Sequence, residues 1–140
     1  MVDDDPQDIY LTKRAFCSQM PELRFAGVNS CVELFDYLYS RGAYSENTGF
    51  DLPDMILLDI NLPKENGFEV LSKLRTDSTH RHIPVSMLTT SAAPYDVQHA
   101  YESGVNCYIS KTVSFADMQK TAERFCSFWF DLARLPTSNT

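Results

Sequence analysis

Short apolar runs alternate with amphipathic stretches along the chain. The strongest run, Met-Ile-Leu-Leu at residues 55–58, leads directly into Asp59 and then into a turn marked by Pro63 and Gly67. An unbroken apolar run bounded by turn residues is typical of a strand buried on both faces in a parallel sheet. Weaker runs predict four further strands, at residues 1–3, 23–28, 84–89 and 106–110.

Amphipathic segments between these runs predict five helices. Asp5 as N-cap and Pro6 at the first helical position begin the first helix, which ends before Pro21. Ser30 and Glu33 have the spacing of a capping box at the start of the second helix. The other three helices are expected around residues 68–74, at residues 94–103 and from the N-cap Ser114 onward.

Helix ends and connections carry their own signals. Gly42 and Gly104 are expected to close the second and fourth helices, because glycine readily adopts the left-handed conformation that ends many helices. Val113 and Met118 are placed as a hydrophobic staple of the fifth helix. Residues 42–53 are expected to form a long loop. Residues 77–83 form a polar connection, whose basic side chains are expected to be solvated: His80, Arg81 and His82.

The order of strand then helix, five times over, predicts an α/β fold. Such an order gives a doubly wound, five-stranded parallel sheet with right-handed crossovers and helices on both faces. The first strand is the exception, because residues 1–3 are fewer than the five or six residues of an ordinary strand. We expect that the polypeptide begins late in this strand. The alternatives are a domain that tolerates a stub and a stub completed by another chain.

Composition narrows the class of protein. The 140 residues suit one domain, and 44% of them are hydrophobic, which is enough for an independent core. A net charge of −7 argues against nucleic-acid binding, since phosphates call for basic residues. The sequence has neither a signal-like segment nor an apolar run long enough to cross a membrane. The widely spaced cysteines are expected to be buried free thiols of a cytoplasmic protein: Cys17, Cys31, Cys107 and Cys126.

Polar residues follow the predicted strands at their carboxyl ends. They are the acidic group at residues 3–5, then Asp59, Thr89 and Lys111. In a doubly wound sheet these ends meet at one edge. Clustered carboxylates favour a hard cation such as Mg²⁺, and a carboxylate flanked by Mg²⁺, a lysine and a hydroxyl suits phosphoryl transfer. The plainer alternative is that each residue is a cap, a strand residue or a surface lysine.

The sequence resembles the receiver domains of two-component response regulators. The resemblance covers residues 1–131 and leaves 132–140 as a polar C-terminal tail. It rests on four motifs in order and at the family's spacing: Val-Asp-Asp-Asp-Pro at 2–6, Leu-Leu-Asp-Ile-Asn-Leu-Pro at 57–63 with Gly67, Leu-Thr-Thr-Ser at 88–91 and Tyr-Ile-Ser-Lys at 108–111. The sequence is most similar to a stand-alone subgroup, some of whose members partner phytochrome-type sensor kinases. The resemblance implies a flavodoxin-like sheet with strand order 2-1-3-4-5.

The resemblance also implies a role for each motif residue. Asp59 is the phosphoacceptor, and Asp4 is the principal Mg²⁺ carboxylate, aided by Asp3 through water. Asn61 supplies a backbone carbonyl to the metal. The other matched residues act on the phosphoryl group or switch with it: Thr89, Lys111 and the rotamer-switching aromatic Tyr108. The protein would then be a phosphorylation switch, not an enzyme in the ordinary sense, that takes its phosphoryl group from a sensor histidine kinase.

Thr112 is the clearest departure from the family pattern, which usually has proline after the lysine. A cis Lys–Pro bond aims that lysine in the family, whereas a cis bond before a non-proline residue costs about 3 kcal/mol. Lys111 is then aimed less firmly, or its bond to Thr112 is trans. This departure sustains one alternative, a degenerate receiver that acts as a phosphorylation-independent interaction module. A Mg²⁺-dependent phosphatase is a weaker alternative, because Asn61 stands where that chemistry needs an acid.

The sequence specifies the partner-binding surface less well than the fold and the site. Phe128 and Phe130 flank Trp129 on the predicted last helix, so aromatic surface is expected to remain after the core is filled. This surface suits a homodimer or an unknown downstream protein. We expect neither nucleic acid nor membrane as a partner.

Overall fold

The computed structural model describes residues 1–46 and 52–136. The described strands are β1 (Ile56–Leu58), β2 (Val85–Thr89) and β3 (Cys107–Ser110). The helices are α1 (Pro6–Gln19), α2 (Cys31–Leu38), α3 (Gly67–Thr76), α4 (Pro94–Glu102) and α5 (Phe115–Cys126). A 3₁₀ turn at Gly42–Tyr44 and a π-helical segment at Ser127–Leu132, which continues α5, complete the regular structure.

The sheet is parallel and extends beyond its three regular strands. β2 lies between β1 and β3, with Met87 opposite Leu58 on one side and Tyr108 on the other. Val2 forms single parallel bridges to Leu58 and to Val28. Across the sheet the order is therefore the stretch 23–28 at Val28, the stretch 1–3 at Val2, and then β1, β2 and β3. With the two stretches counted as the second and first strands, this is the predicted order 2-1-3-4-5.

The second predicted strand is much shorter than expected, whereas the first is a stub, as predicted. The stretch 23–28 contributes one bridge at Val28 instead of a full strand, and residues 1–3 contribute only Val2, which bridges to Val28 and to Leu58. A ladder needs a partner along its length, and the neighbouring stretch supplies only residues 1–3. The Val28 amide donates to the Met1 carbonyl at 2.9 Å, and the Asp3 amide to the Val28 carbonyl at 3.1 Å.

Helices cover both faces of the sheet, as the doubly wound class requires. In β1, Ile56 and Leu58 pack into a core with side chains of α2, α3 and α4, whereas Leu57 packs on the opposite face against α1 and α5. Phe16 of α1 contacts Phe125 of α5 in an edge-to-face pair with ring centroids 5.3 Å apart. The polar residues lie at the carboxyl ends of the strands, between these layers of helices.

Local capping signals were mostly predicted correctly. Asp5 caps α1 by accepting from the Gln7 amide at 2.9 Å, and Ser114 caps α5 by accepting from the Asp117 amide at 3.0 Å. Gly104 follows α4 with a φ of 99°. The predicted end of α2 was wrong, because that helix stops at Leu38 and Ser40, with a φ of 52°, follows its C-cap; Gly42 also has a positive φ, of 56°, but lies in the next turn.

Two other local predictions were wrong. Val113 is fully exposed, so it forms no staple with Met118. His80 is only 2% exposed, and its Nδ1 lies 3.3 Å from the Asp77 carboxylate, which also accepts from the Tyr39 hydroxyl at 2.7 Å. These contacts join the end of α2 to the connection after α3, so the buried imidazole belongs to a packed junction.

The predictions for cysteines, loop and membrane have separate outcomes. All four cysteines are free thiols; Cys31 and Cys126 are buried, whereas Cys17 and Cys107 are half-buried. The predicted loop 42–53 begins with the 3₁₀ turn, and its residues 47–51 lie outside the described residues. Within the described ranges, every helix falls short of the length or the hydrophobicity that a membrane crossing needs.

Candidate functional site

The candidate site lies at the carboxyl edge of the sheet, where consecutive strands end on polar residues. Asp59 follows β1 directly and Thr89 is the last residue of β2. Backbone hydrogen bonds tie these ends together: the Asp59 amide donates to the Val2 carbonyl at 3.1 Å, and the Lys111 amide to the Thr89 carbonyl at 2.6 Å. Residues far apart in sequence therefore meet because the strands are parallel and in register.

The Lys111 ammonium lies at the centre of the site. Its Nζ is 2.7 Å from Asp3 Oδ2, 2.8 Å from Asp8 Oδ2 and 3.1 Å from Asp59 Oδ2. An ammonium has three N–H donors, so each of them has a carboxylate acceptor. The Lys111 side chain is only 9% exposed. Its position is therefore fixed by charge and hydrogen bonds in a partly desolvated setting, where such pairs are stronger than on an open surface.

Burial and charge act in opposite directions on the groups of this site. Burial by itself would lower the pKa of Lys111, but the hydrogen bonds to Asp3 and Asp8 and the charge of Asp59 outweigh it, so the pKa is raised above its usual value. Burial raises the pKa of Asp3, and the hydrogen bond from Lys111 opposes that rise. Lys111 is thus cationic at neutral pH.

A carboxylate cluster suited to a cation surrounds this lysine. Oxygens of Asp3, Asp4 and Asp59 all lie within 4.8 Å of one another, with Asp3 and Asp59 buried and Asp4 exposed. Oxygen ligands without histidine or cysteine suit Mg²⁺ or a similar hard cation. The exposed Asp4 would allow entry from solvent. The three carboxylates therefore fit the predicted Mg²⁺ site. They belong to the residues that the sequence predicted as metal ligands.

The loop after Asp59 fixes the Asp59 carboxylate in place. The Asn61 amide donates to Asp59 Oδ1 at 3.2 Å, and the Gly67 amide donates to the Ile60 carbonyl at 2.7 Å. A β-carbon on Gly67 would lie 2.4 Å from the Asp59 carbonyl oxygen and 2.8 Å from the Ile60 α-carbon. Only glycine fits where α3 begins against the backbone of Asp59 and Ile60.

Two predicted switch residues have contrasting environments. The Thr89 hydroxyl is buried and has no hydrogen-bond partner in the described part of the chain. Such a group is costly unless a ligand or a rearrangement satisfies it. Tyr108 is half-buried, and its hydroxyl donates to the Ser91 carbonyl at 2.9 Å. Every peptide bond among the described residues is trans, including that between Lys111 and Thr112.

Asp8 is the site residue that the sequence interpretation missed. It lies in the first turn of α1, and its carboxylate is 39% exposed where it meets Lys111. A signal existed in the sequence, because Asp8 follows Asp4 by four residues and Asp5 by three. Side chains three or four residues apart are neighbours on one face of a helix, so Asp8 is expected on the same side of the start of α1 as the acids that precede it.

The arrangement of fold and site defines a class of protein. A doubly wound parallel sheet carries an acidic cluster and a lysine at its carboxyl edge, as receiver domains do. Residues 1–123 match the response regulator receiver domain family. The chain therefore belongs to this family of signalling domains.

Comparisons with individual proteins narrow the kinship. The chain is 36% identical over 140 residues to the probable methanogenesis regulatory protein FilR2 of Methanothrix harundinacea (strain 6Ac), covering 97% of this chain and 85% of the relative. It is 31% identical over 138 residues to the response regulator Rcp1 of Synechocystis sp. (strain ATCC 27184 / PCC 6803 / Kazusa), covering 99% and 92%.

Solved structures give the same kinship. The phosphorylated cyanobacterial phytochrome response regulator RcpA superposes with a TM-score of 0.86 at 35% identity, covering 97% of this chain and 95% of that one. The Mn²⁺-bound form of Rcp1 superposes with a TM-score of 0.83 at 32% identity, covering 97% and 96%. The chain is therefore a receiver domain related to Rcp1 and similar to regulators associated with phytochromes.

Proposed function

We propose that this protein is a phosphorylation switch that accepts a phosphoryl group on Asp59 from a sensor histidine kinase in a Mg²⁺-dependent reaction. The observation that carries the proposal is the 3.1 Å contact between Lys111 Nζ and Asp59 Oδ2 inside a cluster of acids. A strand-end carboxylate held beside an ammonium is placed to attack phosphorus while the cation offsets charge on the phosphoryl oxygens.

The proposed chemical step is a transfer between two carriers. An Asp59 carboxylate oxygen attacks the phosphorus of a phosphohistidine, forming a P–O bond as the P–N bond breaks. The bonding electron pair leaves with the imidazole nitrogen, which takes a proton from solvent. Acetyl phosphate is the simpler donor, with acetate as the leaving group. Lys111 binds a phosphoryl oxygen in this step, and Thr89 donates its unpartnered hydroxyl to another.

Residues of the acidic cluster would hold the metal. Asp4 and Asp59 are the proposed direct carboxylate ligands, Asp3 acts through water, and Asn61 contributes its carbonyl. When bound, Mg²⁺ would neutralise charge that builds on the transferring phosphoryl group. A Mn²⁺-bound form of Rcp1 supports a divalent cation in this family, and the matched carboxylates support its place in this chain.

Phosphorylation would then change the surface around Tyr108. The new group brings roughly −1.5 to −2 charges, if it behaves like other phosphoryl groups, and draws Thr89 and Lys111 toward it. Tyr108 would leave the Ser91 carbonyl and turn inward, which alters the face formed by α4, β3 and α5. A downstream protein, or a second copy meeting the aromatic surface near Phe128, would read that change. We place these events in the cytoplasm, where free thiols persist.

The test is phosphoryl transfer to a single residue. Wild-type protein incubated with acetyl phosphate and MgCl₂, or with a phosphorylated candidate kinase, is expected to gain one phosphoryl group that maps to Asp59 by mass spectrometry. Asp59→Ala is expected to gain none, because it lacks the attacking oxygen. Asp131→Ala is the matched control, since it removes an exposed acid far along the chain and should be labelled like wild type.

The outcomes separate the main alternative. Undiminished labelling of Asp59→Ala contradicts the proposed acceptor. A wild-type protein that neither takes phosphate nor binds Mg²⁺ and beryllofluoride is instead the degenerate interaction module. Light scattering with and without beryllofluoride measures self-association in the same samples.

A further inference from the structure

Asp8 is the carboxylate around Lys111 that stands outside the acidic cluster. Asp3 and Asp59 contact Lys111, but they also belong to the group of carboxylates suited to a cation. Asp8 contacts Lys111 at 2.8 Å and is absent from that group. Its contact with the ammonium therefore does not compete with a metal for the same oxygen atoms.

Lys111 needs such a partner because its backbone alone does not fix the direction of its side chain. A lysine stem has four carbons and many rotamers, so ordering it costs conformational entropy. The peptide bond between Lys111 and Thr112 is trans. The amide of Lys111 is held by the Thr89 carbonyl at 2.6 Å. This bond fixes the start of the side chain and leaves its far end to the carboxylates.

The demands on Lys111 change when the site is used. A cation shared by Asp3 and Asp59 would draw their oxygens away from the ammonium, and a phosphoryl group on Asp59 would add new acceptors beside it. Asp8 is fixed to the first turn of α1, whose N-cap bond from Gln7 to Asp5 is 2.9 Å long. It therefore remains a partner for Lys111 while the other two carboxylates change theirs.

We infer that Asp8 is a positioning residue that holds the Lys111 ammonium at the acceptor site from the side of α1. This inference rests on the proposed function of Asp59. In this chain the ion pair between Asp8 and Lys111 orients the lysine side chain, which the trans bond to Thr112 does not do. An ordinary surface salt bridge would contribute little, but here Lys111 is only 9% exposed and Asp8 is half-buried.

Rates of labelling in a double-mutant cycle test this inference. Asp8→Ala is expected to slow phosphorylation from saturating acetyl phosphate and MgCl₂ by about tenfold, equivalent to ~1.4 kcal/mol of activation free energy. Asp8→Glu, which keeps the charge, is expected to recover most of the rate. In the Lys111→Ala background the same Asp8→Ala change is expected to have no further effect, because the residue acts through the lysine.

Asp117→Ala is the matched control for the helix. Asp117 is an exposed acid in the first turn of α5, so its removal changes a helix terminus in the same way but leaves Lys111 untouched. Circular dichroism and thermal unfolding of each variant check that the fold is intact. Labelling of Asp117→Ala is expected to match wild type.

A second readout does not depend on phosphoryl transfer. In protein labelled with ¹⁵N-lysine, the Lys111 ammonium is expected to give a signal protected from solvent exchange, and Asp8→Ala is expected to lose that protection. An equal slowing in both lysine backgrounds, or no slowing at all, overturns the inference while leaving Asp59 as the acceptor. If wild-type protein is not labelled, the proposed function fails, and the ammonium signal alone decides the role of Asp8.

Discussion

At the scale of single residues, the buried charges of this protein are stable only as groups. Lys111 has three carboxylate partners, and the Asp77 carboxylate accepts from the Tyr39 hydroxyl and lies 3.3 Å from His80 Nδ1. A lone charge in either place would be expensive, whereas a hydrogen-bonded set offsets the loss of water. The first set is at the functional edge and the second joins α2 to the connection after α3. The same physics therefore stabilises the proposed site in one place and a packed junction in the other.

Asp77 gives a pH-dependent prediction. Its burial would raise the pKa, but hydrogen bonds from Tyr39, the Thr79 amide and His80 outweigh burial and hold the pKa below its usual value. A carboxyl group with a depressed pKa adds stability above its unfolded pKa of about 3.9, and that stability is lost as the pH falls through the lower folded pKa. Asp77→Asn is expected to lower the free energy of unfolding at pH 7 by about 1 kcal/mol.

Urea unfolding across a pH series measures this effect. The difference between wild type and Asp77→Asn is expected to shrink toward zero as the pH drops below about 3.9. A difference that stays constant over the whole series contradicts the electrostatic explanation. Asp36→Asn serves as the control, since that carboxylate pairs with Arg41 at the surface at 3.6 Å.

At the scale of elements, the connection from β1 to α3 is the tightest in the site. The Gly67 amide bonds to the Ile60 carbonyl at 2.7 Å, and Asn66 caps α3 by accepting from the Glu69 amide at 3.0 Å. The helix can begin this close to the acceptor only because residue 67 lacks a side chain. The position of Asp59 thus depends on the connection between β1 and α3 as much as on β1 itself.

Gly67→Ala tests the importance of this close approach. The new methyl group would meet the backbone at 2.4 Å from the Asp59 carbonyl oxygen, so the chain must shift. We expect a loss of about 1–3 kcal/mol in the free energy of unfolding, together with slower labelling of Asp59. Gly27→Ala is the comparison, because its β-carbon would meet the side chain of Ile9 instead of backbone. A Gly67→Ala variant with wild-type stability and rate would show that the backbone yields at no cost.

At the scale of the whole molecule, the acidic site would couple metal binding to folding. Asp3, Asp4 and Asp59 converge only when the strands are assembled, so the unfolded chain has no equivalent site. A ligand that binds the folded state alone stabilises it in proportion to the logarithm of its concentration. The repulsion among these acids is what a divalent cation would relieve.

Thermal unfolding with MgCl₂ tests this coupling. If the dissociation constant is on the order of 1 mM, about 10 mM Mg²⁺ is expected to add ~1.4 kcal/mol of stability, seen as a rise in Tm. Asp4→Ala is expected to lose this increment, because it removes one of the three carboxylates. KCl at matched ionic strength controls for screening. An equal rise in Tm for Asp4→Ala would place the bound Mg²⁺ elsewhere.

Several features were determined by the sequence itself because their causes are local. The caps Asp5 and Ser114 need only the residues of their own first turns, and the buried run at Ile56–Leu58 is recognisable from unbroken hydrophobicity. Parallel strands bring their carboxyl ends to one edge, so the order of elements was enough to expect Asp59 and Lys111 together. Their 3.1 Å contact agrees with that expectation.

Other features were decided only by the tertiary structure. The stretch 23–28 has strand-like residues, yet pairing depends on the neighbour it meets, and that neighbour supplies a single bridge at Val2. His80 lies in a polar stretch but is buried because Tyr39 and Asp77 pack around it. Asp8 meets Lys111 across 103 residues of sequence. Such contacts depend on the angle at which a helix packs against a sheet edge, and local sequence patterns do not contain that angle.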